Sequence, residues 1–332
     1  MRYSIGIDIG GTKIASGIIN EHGDVIQQAK VLSDPSDQES MFQQVVLCVR
    51  RLLNHTSIPL KEIAGIGAGV PGKVDVTHGI AVFQNNIPWP NFPLKERLQE
   101  VFPVERITID NDVYMATYAE WKQTNMDFEE LFTYVTISTG ISCAMIQKGE
   151  FLRGAGFAGE LGLVPVMQET QEENVIKGTL MQSRLKLEES PGDIAAKEHS
   201  EKRFIAERLE KVAAGPAIEK SAVVLYEDES ITAEDLFMKF YRGEQQAELI
   251  VHQMTDALAQ GIYTLISIID PHKIVVGGSV ATENPVLIDL IKEKLSAFLL
   301  EAQTHIVNEI TVSTMEESQG LIGAGLRVLD GK

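Results

Sequence analysis

Cysteine is nearly missing from these 332 residues: only Cys48 and Cys143 occur, far apart in the chain. That spacing excludes a disulfide framework and a cysteine-based zinc site, and it fits a reducing compartment. Basic charge is also short, with 29 Lys and Arg against 47 Asp and Glu and a net charge of −18. Nucleic-acid binding draws much of its affinity from cations that neutralise phosphates, and no basic patch interrupts the acidic balance. No nucleic-acid partner is expected. Long apolar runs are lacking too. The most apolar later stretch, Met254 to Ile269, is interrupted by Asp256 and Gln260, short of the ~18 unbroken apolar residues of a membrane helix. Asp8 stands inside the first apolar segment, so neither a signal peptide nor a membrane partner is expected, and the location is read as cytoplasmic.

What is present suits a folded, soluble chain. Hydrophobic residues make up 44% and charged residues 23%, enough apolar material for a core and too much for global disorder. The length fits one large or two mid-sized domains.

Short runs in which β-branched residues alternate with small or polar ones predict strands at Ser4–Ile7 and Lys13–Ile19, joined by the turn Asp8-Ile9-Gly10-Gly11-Thr12. Asn20 to Asp24 makes a second turn into Val25-Ile26. Phe42 to Leu53 has helical spacing, Ile63 to Val70 reads as a buried strand ending at Pro71-Gly72, and Ile107-Thr108-Ile109 leads into a helix over Val113 to Trp121. The fold class is therefore α/β. Strand, small-residue turn and strand recur at Tyr134–Ile137, Ser138-Thr139-Gly140 and Cys143–Ile146, which suggests two related halves. Gln168 to Lys211 is polar and reads as a surface excursion carrying its own helices. Ile205, Leu209 and Val212, followed by Gly215-Pro216, predict a helix and its stop. Helices continue to Ile269, then a strand at Lys273–Val276 with Gly277-Gly278 behind it, a helix over Pro285 to Ala302, a strand at Ile310–Val312 and a last helix from Gly320 to Leu329.

Two glycines and a threonine in a turn expose successive backbone N–H groups with no Cβ in the way, the geometry of an anion nest. The spacing is neither that of the P-loop nor that of the dinucleotide-binding turn, and a strand follows rather than a helix. An empty hairpin turn is the alternative. Asp8, where strand meets turn, suits Mg²⁺ held against nucleotide phosphates or, equally, an Asx turn. Asp110-Asn111-Asp112 places acids at the carboxyl end of a strand, where open α/β folds bind ligands. Asp112 reads either as a helix N-cap or as a base that accepts a proton from an attacking hydroxyl, and the two roles are compatible.

Seven motifs in order then resemble the ROK family of sugar kinases and sugar-responsive repressors: Asp8 to Lys13, Gly67 to Gly72, Asn86-Ile87-Pro88-Trp89, Asn111-Asp112, Thr139-Gly140, Gly154 to Gly162, and Val276-Gly277-Gly278. The resemblance implies a two-lobed actin-like, hexokinase-like ATPase (ribonuclease H-like) fold with a cleft between the lobes, and ATP-dependent phosphorylation of a hexose or hexosamine. It implies one lobe from residues 1–111 with 318–332, and a larger lobe from 112–317 with a polar insertion at about 168–208. Asp112 is then the catalytic base, usually on the 6-hydroxyl in this family. Gly72, Asn86, Asn111, Asp112, Glu160 and Glu210 would bind sugar. Gly10, Gly11, Thr12, Thr139 and Gly140 would surround the ATP phosphates, with Lys13 in the same motif. Asp8 would serve Mg²⁺, and Gly277 and Gly278 would admit the adenosine. A homodimer is the family expectation.

The chain departs from the family at one element. Zinc-containing members place a His after Glu-x-Gly, followed by a cysteine-rich loop; here the position is Leu163, and no Cys follows Cys143. No zinc is expected. The loop's terminal Glu has two candidate placements. Gly178 to Met181 keeps the spacing but supplies Met, whereas Leu209 to Ile218 keeps the downstream run and supplies Glu210 at the cost of an insertion, which is thermodynamically cheap on a surface. Glu210 is chosen, a solvated helix-face glutamate being the alternative. A DNA-binding repressor carries a helix-turn-helix segment ahead of the phosphate turn, for which a first strand at Ser4 leaves no room. A silent sugar sensor is the remaining alternative.

Overall fold

A computed structural model of the chain describes residues 2–124, 126–170, 203–315 and 319–331. The first sheet begins with an antiparallel meander, β1 (Tyr3–Ile9), β2 (Lys13–Asn20) and β3 (Val25–Leu32). Helix α1 (Gln38–Asn54) starts where the Asp37 carboxylate accepts from the Glu39 and Ser40 N–H groups at 2.8 and 2.9 Å, a cap of about 1 kcal/mol. Its apolar face, including Met41, Phe42, Val45, Val49 and Leu52, is buried, each side chain contributing roughly 1.5–3 kcal/mol of hydrophobic stabilisation. Strand β4 (Ile63–Val70) then joins β1 in parallel. A small hairpin, β5 (Lys73–Asp75) and β6 (Ile80–Phe83), and helix α2 (Leu94–Val101) precede β7 (Arg106–Asn111), which pairs with β4 in parallel. The sheet order is β3-β2-β1-β4-β7.

Helix α3 (Asp112–Gln123) follows without a linker, and a second sheet repeats the pattern. Strands β8 (Phe132–Ile137), β9 (Ile141–Gln147) and β10 (Glu150–Phe151) form the meander. A two-stranded antiparallel ribbon comes next, β11 (Pro165–Thr170) with β12 (Arg203–Arg208), then helices α4 (Leu209–Ala213), α5 (Gly215–Tyr226), α6 (Ala233–Tyr241) and α7 (Gln245–Ile269). Strand β13 (Lys273–Gly277), helices α8 (Ser279–Glu283), α9 (Val286–Leu295) and α10 (Ile306–Glu309), and strand β14 (Ile310–Val312) complete that half. The order β10-β9-β8-β13-β14 matches the first sheet position for position, with the same mixture of antiparallel and parallel pairs. The repetition read in the sequence is thus a repetition of topology.

Helix α11 (Gln319–Leu329) returns to the first half, against β1, β4 and α3. It lies so close that a Cβ on Gly67 would collide with the Ala324 carbonyl and one on Gly323 with the Met115 carbonyl. Each half has its own apolar cluster, one around Ile5, Phe42 and Trp89, the other around Val135, Leu258 and Ile274.

Two predicted elements differ. Ile205 lies in β12, so the expected helix is only the short α4 with Leu209 and Val212, which ends at Ala213 ahead of Gly215-Pro216; the same pair also opens α5, because proline's fixed φ and missing N–H suit the first helical turn. The helix expected to reach Ala302 ends at Leu295. Most of the polar excursion, with Met181, lies outside the described residues, and its described flanks are strands. Among the described residues no helix is long and apolar enough to cross a membrane.

Candidate active site

Strand β7 ends at Asn111, whose side chain caps α3 by accepting from the Val113 and Tyr114 N–H groups at 2.9 and 3.3 Å. The cap is Asn111 and not Asp112, so the Asp112 carboxylate is spared that duty; one of its oxygens accepts from the Val113 N–H at 3.0 Å. The Asn111 amide also donates to the Gly72 carbonyl at 3.0 Å, tying the strand end to the Gly72 turn. Gly72 has φ +79°, and a Cβ there would strike the Phe83 carbonyl, so this turn requires glycine.

Asp8 on β1 pairs with Gly69, whose missing Cβ leaves room for the Asp112 backbone, so the two acids lie within electrostatic reach. Burial, and then the charge of Asp8, push the Asp112 carboxyl up to about 6 from an ordinary 3.8, with the Val113 N–H and the Asn111 amide offsetting part of the rise. Burial also raises Asp8, and the positive charge of Lys13 partly counters it. The Asp8 carboxylate lies 3.2–3.4 Å from where a Cβ on Gly320 would stand, at the start of α11. The turn beyond Asp8 is braced from outside: Ser33 donates its hydroxyl to the Gly10 carbonyl at 2.7 Å and its N–H to the Thr12 carbonyl at 2.9 Å. Asn86 packs against Gly11, 2.9 Å from the position of a Cβ. Thr12 and Lys13 are exposed.

A second carboxylate pair comes from the other half. Burial raises Glu160, and the charge of Glu210 raises it further. The Glu210 side chain passes Gly162, its Cβ 3.1 Å from where a Cβ on that glycine would be. Glu210 therefore stands beside Glu160 and not alone on a solvated face. Leu163, next in the same segment, is exposed.

The turn Ser138-Thr139-Gly140 between β8 and β9 borders a cavity of about 250 Å³. Thr139, Gly215, Pro216, Phe237, Ser279 and Val280 are among its walls, together with Glu219, Glu234 and Glu283. Gly277 and Gly278 are not. Their missing Cβ atoms make room for the Tyr134 ring and the Ile137 backbone, and Gly278, at φ +83°, starts α8 so that Ser279 and Val280 reach the cavity. Sequence reading missed the walls supplied by α5 and α6, because Glu219 and Phe237 sit in ordinary amphipathic helices; the breakers Gly215-Pro216 and Gly277-Gly278 were the only local signals beside them.

The structure thus unites Asp8 with Asp112, Asn111 with Gly72, Gly11 with Asn86, and Glu160 with Glu210. Thr139 and Gly140 stand apart from these, by the cavity. Among the described residues no group of three His, Cys, Asp or Glu side chains could hold a metal.

Comparison with known proteins decides the lineage: residues 4–330 match the model of the ROK family. The chain belongs to the ROK family. Among ROK relatives, a glucokinase of Halalkalibacterium halodurans is 25% identical over 98% of this chain and 94% of its own. A beta-glucoside kinase of Listeria monocytogenes is 26% identical over 96% of this chain and 94% of its own. The crystal structure of a ROK hexokinase from Thermus thermophilus superposes with a TM-score of 0.73 at 25% identity, covering 98% of this chain and 97% of that one. The ROK fold, two α/β lobes of the actin-like ATPase type, is the fold of this chain, and the repeated sheet order is its signature here.

Proposed function

We propose that this ROK protein transfers the terminal phosphoryl group of ATP to a hydroxyl of a hexose or hexosamine, the 6-hydroxyl by family pattern, with Asp112 as general base. The chain is a sugar kinase. The observation that carries the reading is the state of Asp112: relieved of capping by Asn111, within the field of Asp8, and raised to about 6. A carboxylate tuned toward neutral pH both ionises in the cell and accepts a proton usefully. As the sugar oxygen bonds to phosphorus and the bond to the departing ADP oxygen breaks, Asp112 takes the hydroxyl proton.

Sugar recognition falls to Asn86, Asn111, the Gly72 turn, Glu160 and Glu210. Paired carboxylates and amides match the donor-rich rim of a sugar ring. The nucleoside end of ATP fits the cavity, whose volume is below the roughly 300–1,000 Å³ of sites that enclose a whole drug-sized ligand. Three glutamates line it, so the triphosphate runs outward past Thr139 and Gly140 toward Gly10, Gly11, Thr12 and Lys13. Gly277 and Gly278 shape the cavity from behind. Asp8, a half-buried hard-oxygen donor, suits Mg²⁺, which commonly takes one or two protein carboxylates beside phosphate oxygens and waters. The ion would neutralise phosphate charge there. We assign the lobes as residues 1–111 with 318–332 and residues 112–317, with α3 at the joint, packed on both α11 and β9. A cytoplasmic location suits an ATP-consuming enzyme whose two thiols are free and buried.

A coupled ADP-release assay across glucose, mannose, fructose, N-acetylmannosamine, allose and β-glucosides tests this. Turnover that requires one of these sugars is expected. Sugar binding by calorimetry with no ADP released above background would instead favour a sensor or regulator.

A further inference from the structure

Arg153 follows β10 in the second half, yet its guanidinium meets the first. Its Nη1 donates to Asp110 Oδ1 at 3.0 Å and its Nη2 to Asp110 Oδ2, a two-pronged pair in which the Asp110 side chain is only 2% exposed and the Arg153 side chain 33%. The fork of Arg fits a carboxylate in a way that the point charge of Lys does not. Asp110 in turn accepts the Asn111 N–H at 2.8 Å, and Asn111 is the residue that caps α3 and holds the Gly72 turn.

The same guanidinium lies over the Tyr114 ring, 4.7 Å from its centroid, and 4.9 Å from that of Phe151. Tyr114, in the first turn of α3, donates its hydroxyl to the Ala158 carbonyl at 3.2 Å. The segment from 153 to 160 is therefore fastened at both ends to the helix that begins with Asp112: at its start by Arg153, and two residues before Glu160 by Tyr114. Neither Arg153 nor Asp110 lines the cavity, and the kinase reading leaves this ion pair without a task.

We propose that Arg153 is a positioning residue, which sets the separation between Asp112 and the sugar-binding Glu160 by locking the 153–160 segment to the β7–α3 junction. The inference rests on the proposed sugar-kinase reading and deepens it. A displacement of about 1 Å in such a constellation can cost on the order of a hundred-fold, so the effect belongs to the sugar side of the reaction and leaves the nucleotide cavity alone.

The test is Arg153→Lys in the full chain, which keeps the charge and loses the fork. We expect a melting temperature near that of the wild type, a KM for ATP within about two-fold, and a kcat/KM for the sugar about a hundred-fold lower, shared between a higher KM and a lower kcat. A residue that merely stabilised the fold would lower the melting temperature and affect both substrates alike. Tyr114→Phe keeps the ring under the guanidinium and removes only the bond to Ala158; it should show the same split, smaller. Sugar kinetics within two-fold of the wild type in Arg153→Lys overturn the proposal, as do equal losses for sugar and ATP. Should that variant not fold, wild-type sugar kinetics in Tyr114→Phe overturn it. A wild type that phosphorylates no sugar in the screen would instead remove the kinase reading itself.

Discussion

Asp8 is the next-to-last residue of β1, and Thr136 is the next-to-last residue of β8, its counterpart in the other half. Each precedes a three-residue turn into an antiparallel partner strand, where Asp8 stands opposite Ala15 and Thr136 opposite Ser142. The surroundings then diverge. The first turn is pinned by Ser33 and shadowed by Asn86, and its acid sits beside a second acid. In the second turn, Gly140 has open space where a Cβ would be, and the Ser138 carbonyl is held by the Gly215 N–H at 2.8 Å, beside a cavity. In the proposed reading, this repeated scaffold carries a proton-handling corner in one half and a nucleotide-binding hollow in the other. A neutral hydroxyl at Thr136, where the first half has Asp8, is consistent with the proposed reading, since a carboxylate there would repel a polyphosphate.

The division can be broken most severely at its acidic corner. Asp112→Asn should lower kcat by on the order of 10³-fold, while a calorimetric sugar titration stays within a few-fold of the wild type. The same variant should melt higher than the wild type at pH 7. A carboxyl raised from 3.8 to about 6 favours the folded state only while protonated, so its ionisation penalty is absent below pH 3.8, grows up to about pH 6 and is complete above that. Scanning calorimetry at pH 7 and pH 4 should show the gap narrowing in acid.

At the proposed sugar pair, Glu210→Ala should raise the sugar KM about ten- to a hundred-fold, the worth of a charged hydrogen bond, with the ATP KM unmoved. If the ATP KM rose equally, Glu160 and Glu210 would not form a separate sugar subsite. Filling the hollow reverses the pattern: Ala233→Trp, at a residue lining the cavity, should raise the ATP KM about ten-fold and spare sugar binding. Asp8→Asn probes the corner most finely. Because the charge of Asp8 holds the Asp112 carboxyl up, the normalised acid limb of the kcat profile should move to lower pH in this variant, alongside its loss of rate.

Much of this plan could be read in the chain because it is written locally. β-Branched alternation marked β1, β2 and β8, and the turns between them carry their own glycines. Asp110-Asn111-Asp112 announced a strand end and a helix start, but not which side chain would cap; both Asn and Asp serve, and only the backbone geometry of the junction assigns the duty to Asn111. Gly215-Pro216 carried a signal with two meanings, since both residues punctuate either end of a helix, and both are realised: α4 ends at Ala213 just before the pair and α5 begins on it. Glu210 was placed by register alone, and its neighbour Glu160, some fifty residues earlier, is a product of the fold. The cavity walls were the least legible, because α5, α6 and α8 meet there through long-range packing that no local pattern encodes.

The crossing of α11 on α3 also bears on how the protein comes into being. The first sheet and α3 are synthesised early, yet the groove that bares Gly6, Gly67 and the Met115 carbonyl stays open until residues 319–329 leave the ribosome. At ~5–20 residues per second the interval after Asn111 lasts on the order of ten to forty seconds. Through that time the face of β1 and β4 that α11 comes to cover lacks this helix, and its arrival completes the packing of the first sheet.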